Sequence, residues 1–203
     1  MNYQQEVVRS FATISDMLAD RGEDVDSLRH VSGADVLAIA ASRNVFSVDL
    51  PSCGYRVVYD LHIKFKLGDV KKLLEAPSEQ LETEGAPASP RVFLVVAREK
   101  PAASAKKGIV ELGKDVQFFD IKELQYNVSR HTLVPRHEVI RGEPEVEEVM
   151  QRFHVKSRYH LPLILSTDPM ARYLALKPGQ LVRITRVSPS AGHYTLYRCC
   201  QRA

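Results

Sequence analysis

No apolar run in this chain is long enough to cross a membrane: stretches such as Val36 to Ala41 and Val92 to Ala97 fall far short of the roughly 20 residues a spanning helix needs. The amino terminus shows no charged leader ahead of an apolar segment, so the expected compartment is cytosol or nucleus, with no membrane partner. Cysteine is scarce. Cys53 and the adjacent pair Cys199 and Cys200 make no Cys-x-x-Cys unit and no disulfide framework, which fits a reducing compartment and inert thiols. The seven histidines form no His-x-x-x-His pair, and no metal, cofactor or small-molecule substrate is expected. Internal repeats, a helix-turn-helix pattern and a zinc pattern are also missing. At 44% hydrophobic and 26% charged over 203 residues, the composition is that of a folded protein of one large or two small domains.

Charge of one sign is nearly absent from the carboxy-terminal region. From residue 149 onward Arg152, Lys156, Arg158, Arg172, Lys177, Arg183, Arg186, Arg198 and Arg202 face a single acid, Asp168, although the whole chain carries only +3. Such asymmetry suits nucleic acid or an acidic protein surface; a solvated basic face is the plainer alternative.

Val7, Phe11, Ile14 and Leu18 fall on one face of a predicted helix that ends at Arg21 and Gly22, with Arg21 as a last-turn cation. A second helix is expected over Ser32 to Ala41. Tyr55 to Phe65 alternates in part and reads as a half-buried strand, followed by a helix opened by Val70, Leu73 and Leu74. Ala76 to Pro90 reads as an exposed loop, and Val92 to Val96 as a central strand buried on both faces. Glu143 and Pro144 start a further helix with Val146, Val149, Met150 and Phe153 as its apolar stripe; Asp168 and Pro169 cap and open a short one ending near Leu174. Leu181 to Val187, after a Lys177-Pro178-Gly179 turn, and His193 to Cys199 alternate around Ser188-Pro189-Ser190-Ala191-Gly192, which predicts an antiparallel hairpin.

The run His131-Thr132-Leu133-Val134-Pro135-Arg136-His137 with Ile140 and Glu143 resembles the signature of the shared five-type subunit of RNA polymerases I, II and III, a family with an archaeal polymerase counterpart. Leu161-Pro162, Asp168-Pro169-Met170-Ala171-Arg172-Tyr173-Leu174, Leu176-Lys177, Gly179-Gln180, Val182, Ala191-Gly192, Tyr194 and Tyr197-Arg198 match that family in order and spacing. Nearer the amino terminus the likeness thins to Asp20-Arg21-Gly22, Leu67-Gly68 with Val70-Lys71, and Val92 to Ala97 followed by Ser104-Ala105-Lys106.

The resemblance implies an α/β amino-terminal jaw domain over residues 1–126 and a small α+β carboxy-terminal assembly domain over 127–203. It also implies a non-catalytic nuclear subunit that docks on the largest polymerase subunit, with other polymerase subunits as further partners. Expected interface residues are His131, Pro135, His137, Asp168, Pro169, Arg172, Tyr173, Arg183, Tyr194, Tyr197 and Arg198. Ser104, Lys106 and Lys107 are the expected contacts to downstream double-stranded DNA. A helix opening near Ser104 would offer amides, a hydroxyl and lysines to phosphates, independently of base sequence.

Several family positions differ. Pro178 replaces a basic residue, Ala175 a glycine, and Ala103 a common proline; Ser188-Pro189-Ser190 and Gly192-His193-Tyr194 lack the family's glutamate and arginine. These changes fall on turns and interface positions, which points to a copy dedicated to one polymerase, such as polymerase I in the nucleolus. Two other readings compete. A free-standing DNA-binding or adaptor module would use the basic region. A metal-dependent nuclease would use Asp60 with Glu99-Lys100, but the adjacency of the last two sends their side chains to opposite faces of a strand.

Overall fold

The computed structural model describes residues 3–25, 33–50, 53–76, 92–188, 190 and 192–202. Two compact units divide the chain, Met1–Tyr126 and Asn127–Ala203. Of the loop expected over Ala76 to Pro90 only Ala76 lies within the described residues; Ser32, Pro189 and Ala191 lie outside them.

Unit one opens with α1 (Tyr3–Asp20), which buries Val7, Phe11, Ile14 and Leu18 as their spacing predicts, together with Met17. Each such side chain contributes about 1.5–3 kcal/mol when fully buried, more than enough to offset the modest helix propensity of Val, Ile and Thr. The helix ends on a left-handed residue: Gly22, at φ 79°, donates its N–H to Ala19 O (2.9 Å), and Glu23 N–H reaches Leu18 O (3.1 Å). Arg21, the expected cation at the helix end, directly follows the last residue of α1. It is buried and donates to Gln117 Oε1 (2.9 Å) and Met17 Sδ (3.3 Å), so it ties α1 to the sheet. Sequence spacing shows a cation at a helix end but not the acceptor that a distant strand brings to it.

Helix α2 (Gly33–Ser42) leads into a four-stranded sheet ordered β1-β2-β3-β4, from β1 (Val45–Leu50), β2 (Tyr55–Asp60), β3 (Val92–Ala97) and β4 (Asp115–Asp120). β1 runs antiparallel to β2, whereas β2, β3 and β4 are mutually parallel. Parallel neighbours need crossovers, and α3 (Leu67–Glu75) and α4 (Ala103–Val110) supply helices for them. Both lie on one face: Val70 and Leu74 of α3 and Ile109 of α4 share a core with Val58, Phe93 and Val95. The opposite face meets α1, where Ser10 Oγ and Tyr59 Oη are 3.2 Å apart.

The strand expected over Tyr55 to Phe65 stops at Asp60, and all six residues of β2 are buried. An interior strand covered on both faces has no solvent side, so alternation is not required of it. It nevertheless contains Arg56. That side chain grips Asp49 of β1 through Nε (2.5 Å) and Nη2 (2.9 Å), and its Nη1 donates to Leu73 O (2.8 Å) and Ala76 O (2.7 Å) at the end of α3. Lys114 Nζ donates to Leu74 O at the same helix end. Two cations thus answer the orphan carbonyls and the negative pole of α3.

Unit two is an α+β fold. Its sheet has the order β5-β7-β8-β6, from β5 (Arg136–Ile140), β6 (Leu163–Leu165), β7 (Leu181–Ser188) and β8 (Gly192–Gln201). β7 and β8 form the expected antiparallel hairpin, β5 pairs antiparallel with β7, and β6 runs parallel to β8. Helix α5 (Glu143–Arg152) covers one face, packing Val146 and Val149 with Ile140, Leu161, Leu181 and Cys199. Phe153 is the exception in its predicted stripe: it caps α5, is 46% exposed, and lies edge-on to Tyr197 at 5.6 Å between centroids.

Helix α6 (Pro169–Tyr173) begins as predicted, with Asp168 accepting from Met170 N (2.8 Å) and Ala171 N (3.4 Å). Both α5 and α6 end with the turn that closes α1, but without glycine. His154 (φ 51°) donates its N–H to Gln151 O and Val155 to Met150 O; Ala175 (φ 53°) donates to Arg172 O and Leu176 to Ala171 O.

Candidate subunit and nucleic-acid interfaces

Residues paired across strands point to the same side of a sheet, which sorts the expected interface residues of unit two into two faces. Glu138, Arg183 and Tyr197 share the face covered by α5. Arg183 Nε donates to Glu138 Oε2 (2.9 Å) and Nη1 to Glu145 Oε1 (3.3 Å); the Glu138 hydrogen bond pushes its pKa up. His137, Ile184 and Leu196 occupy the other face, as do Arg186 and Tyr194 further along. His137 Nδ1 donates to Pro135 O (2.7 Å), and burial nevertheless holds its pKa below the ordinary histidine value.

The remaining expected residues differ in what they leave available. Tyr173 is buried, its hydroxyl accepting from Ser129 Oγ (3.4 Å), which corrects its expected place among the exposed subunit-interface residues. Asp168 spends its carboxylate on the α6 cap beside exposed Pro169 and half-buried Arg172. Arg198 Nη1 donates to Leu163 O (2.9 Å). His131 is exposed and accepts from Leu133 N at Nδ1 (3.2 Å), while Val134 N–H returns to His131 O (2.9 Å). That tight turn holds Leu133 out at 85% exposure.

Arg136 pairs with Thr185, so the turn before β5 and the hairpin tip share one end of the sheet. Val187 is 77% exposed and Tyr194 37% exposed at that tip, with His193 paired to Val187 and Arg186 to Tyr194. Apolar and aromatic side chains flanked by arginine are the residue types enriched at protein interfaces. Sequence reasoning missed Leu133 and Val187 because their apolar character reads as core, whereas both side chains stand exposed.

In unit one, Ser104 sits in the first turn of α4, with exposed Lys106 and Lys107 one turn on. Ala102 occupies the N-cap and makes no side-chain cap hydrogen bond. Lys106 Nζ lies 5.9 Å from the centroid of the Phe118 ring, which keeps it near the sheet while its charge stays exposed. Asp60, named in the nuclease reading, is buried, and its carboxylate accepts from His62 N (3.1 Å) and Lys66 N (2.9 Å) and pairs with His62 Nδ1 (2.8 Å). It is a brace for the loop after β2 rather than an open ligand. Among the described residues no group of three or more His, Cys, Asp or Glu side chains is placed to hold a metal. Burial raises the pKa of Cys199 and Cys200, the inert condition for thiols.

Residues 126–200 match the family described as RNA polymerase Rpb5, C-terminal domain. Over 197 residues, 96% of this chain and 84% of the relative, the sequence is 33% identical to subunit RPABC1 of DNA-directed RNA polymerases I, II and III from Caenorhabditis briggsae. It is 33% identical over 111 residues to the subunit rpabc1 of Dictyostelium discoideum, covering 53% of this chain and 55% of that protein. With subunit 5B of RNA polymerases IV and V from Arabidopsis thaliana it shares 30% identity over 107 residues, 53% of this chain and 48% of that protein. The chain therefore spans about half the length of the last two relatives.

Proposed function

Because the chain belongs to the RPABC1 (Rpb5) family of DNA-directed RNA polymerase subunits, which are non-catalytic parts of the enzyme, we propose that it enters a nuclear polymerase by docking unit two on the largest subunit. The supporting observation is the sheet end where Leu133, Val187 and Tyr194 stand exposed, Val187 with His193 on one side of the hairpin and Tyr194 with Arg186 on the other. Desolvating such side chains against a partner is favourable, and leaving them in water is not. His131 opens the turn that presents Leu133, Pro135 follows that turn, and His137 lies on β5. Asp168 and Pro169 give α6 a capped, partly exposed start, with half-buried Arg172 in its last turn; Arg183 and Tyr197 lie on the α5 face of the hairpin and Arg198 on the other.

Unit one, in this proposal, lies at the lower jaw near downstream DNA, where Ser104, Lys106 and Lys107 contact phosphates without reading bases. The substitutions at Pro178 and His193, both exposed, favour service in one polymerase over service in all, and polymerase I would place the chain in the nucleolus. Purification through a tag on this chain tests the docking: a largest polymerase subunit should co-purify in stoichiometric amount. Elution near the chain's own mass, with no such subunit, would refute it. Recovery of the largest subunits of polymerases I, II and III together would overturn the dedicated copy alone.

A further inference from the structure

Three lysines outside the expected DNA contacts, Lys64, Lys66 and Lys71, lie on α3 and the loop that leads into it. β2 and β3 are parallel neighbours in which Asp60 pairs with Ala97, and Arg98 N–H extends the pairing to Asp60 O (3.2 Å). The loops leaving these two strands therefore emerge side by side, one leading to α3 and the other to α4. The first, 61–66, carries exposed Lys64 and Lys66 and is braced by the Asp60 carboxylate. A cation held on a braced loop loses less conformational freedom on binding than one on a free loop.

The two crossover helices fix what faces what. A Cβ built on Gly108 of α4 would lie 3.5 Å from Leu67 Cδ2 and 3.6 Å from Lys71 Nζ, so Gly108 faces α3 and the Lys71 ammonium lies over it. Ser104 is four residues before Gly108 and therefore on the same, α3-facing side of α4. Because α3 begins alongside Gly108 and crossover helices from parallel strands run in the same direction, the loop that precedes α3 flanks the turn of α4 that holds Ser104. Lys72 points away: it pairs with Asp69 at 4.0 Å on the other side of α3. Lys100, near the edge, is paired with Glu123 (3.1 Å), and Glu99 is the exposed acid there.

We propose that Lys64, Lys66 and Lys71 form, with Ser104 and Lys107, a single phosphate-binding groove that takes the backbone of double-stranded DNA. This rests on the reading of unit one as a DNA-facing jaw. Three cations along one side of a groove and a hydroxyl with a lysine along the other suit a phosphodiester chain, which needs charge without base-specific donors.

Elongation complexes assembled with the full-length chain carrying a photo-crosslinking phenylalanine at Ser104, or at 78% exposed Ile63 in the braced loop, provide the test. Both positions should label downstream DNA. The combined change Lys64→Gln, Lys66→Gln and Lys71→Gln should lower the Ser104 adduct yield at least about threefold at moderate salt, whereas Lys72→Gln should leave it unchanged. Circular dichroism of each variant checks that these surface changes leave the fold intact. Labelling from Ser104 with silence at Ile63, or an unchanged yield in the triple variant, overturns the groove and leaves the jaw reading standing. A loss from Lys72→Gln equal to that from the triple variant also overturns it, in favour of a diffuse field. Silence at both positions removes the jaw reading as well.

Discussion

Replacing Ala175 by glycine should stabilise unit two, although it deletes a side chain. Ala175 is the residue after the α6 cap, at φ 53°, and the turn is closed by Ala175 N–H to Arg172 O (3.1 Å) and Leu176 N–H to Ala171 O (2.9 Å). A left-handed backbone brings a Cβ against the following carbonyl and costs an L-residue about 1–2 kcal/mol. Glycine escapes that cost but gives the unfolded chain more freedom, worth about 0.4–1 kcal/mol in the opposite direction. The net expectation is a gain of about 0.5–1 kcal/mol for Ala175→Gly, and a loss of similar size for Ala175→Val, whose branched side chain tolerates the conformation least. His154, at φ 51° after α5, should respond to His154→Gly in the same way, and the two gains should add, since the two turns share no hydrogen-bond partner. Urea titration of the full chain, followed through amide resonances of β7 and β8 so that unit two reports on itself, measures the shift. A midpoint for Ala175→Gly at or below the parent's, together with an unaffected Ala175→Val, would refute the left-handed assignment.

Other expectations follow from side chains already placed. Leu133→Ser and Val187→Ser should each weaken co-purification with the largest polymerase subunit by about 1–2 kcal/mol, roughly five- to thirtyfold, with little change in urea midpoint; a large midpoint shift would mean the side chains serve the unit's own packing. Arg56→Met should destabilise unit one by about 3–5 kcal/mol by leaving Asp49 and the α3 carbonyls unanswered, and adding Asp49→Leu should recover a good part of it; equal losses in the single and double variants would sink this account of the pair. His137 has a folded pKa below its unfolded value of about 6.5, so between those two values the unfolded chain binds more protons. Stability of unit two should therefore be full above about pH 6.5 and fall as pH drops through that window, and His137→Gln should flatten the slope; an unchanged pH profile would show that His137 contributes nothing to it.

Legibility in the sequence followed how local the determining physics is. The α1 stripe, the Asp168-Pro169 cap and the β7–β8 hairpin depend on neighbours within a few residues, and each stands where it was expected. β1, β4, β5 and β6 went unread. β6 has only three residues and exists because β8 offers an edge; β5 lies inside a motif whose residues were weighed for contacts rather than pairing. The extent of β2 was misjudged because its burial on both faces depends on helices from elsewhere in the chain, and because Arg56 looks like a surface residue until Asp49 and the end of α3 converge on it. At the candidate interfaces the motif residues were legible, but Tyr173 turned out to be core, and exposed Leu133 and Val187 carried no signal that separates a docking side chain from a buried one.

The strand order β5-β7-β8-β6 has a bearing on synthesis. β8 is the last strand of unit two to leave the ribosome, yet it occupies an interior place, pairing with β7 on one side and β6 on the other. Until it emerges, β6 has no neighbour and β7 shows an open edge, so the nascent unit waits with sticky backbone and uncovered apolar surface. A nonsense codon just before Gly192 would spare every helix of unit two and still remove the strand that joins its sheet, and its product should be handled by chaperones and proteases as an unfolded chain.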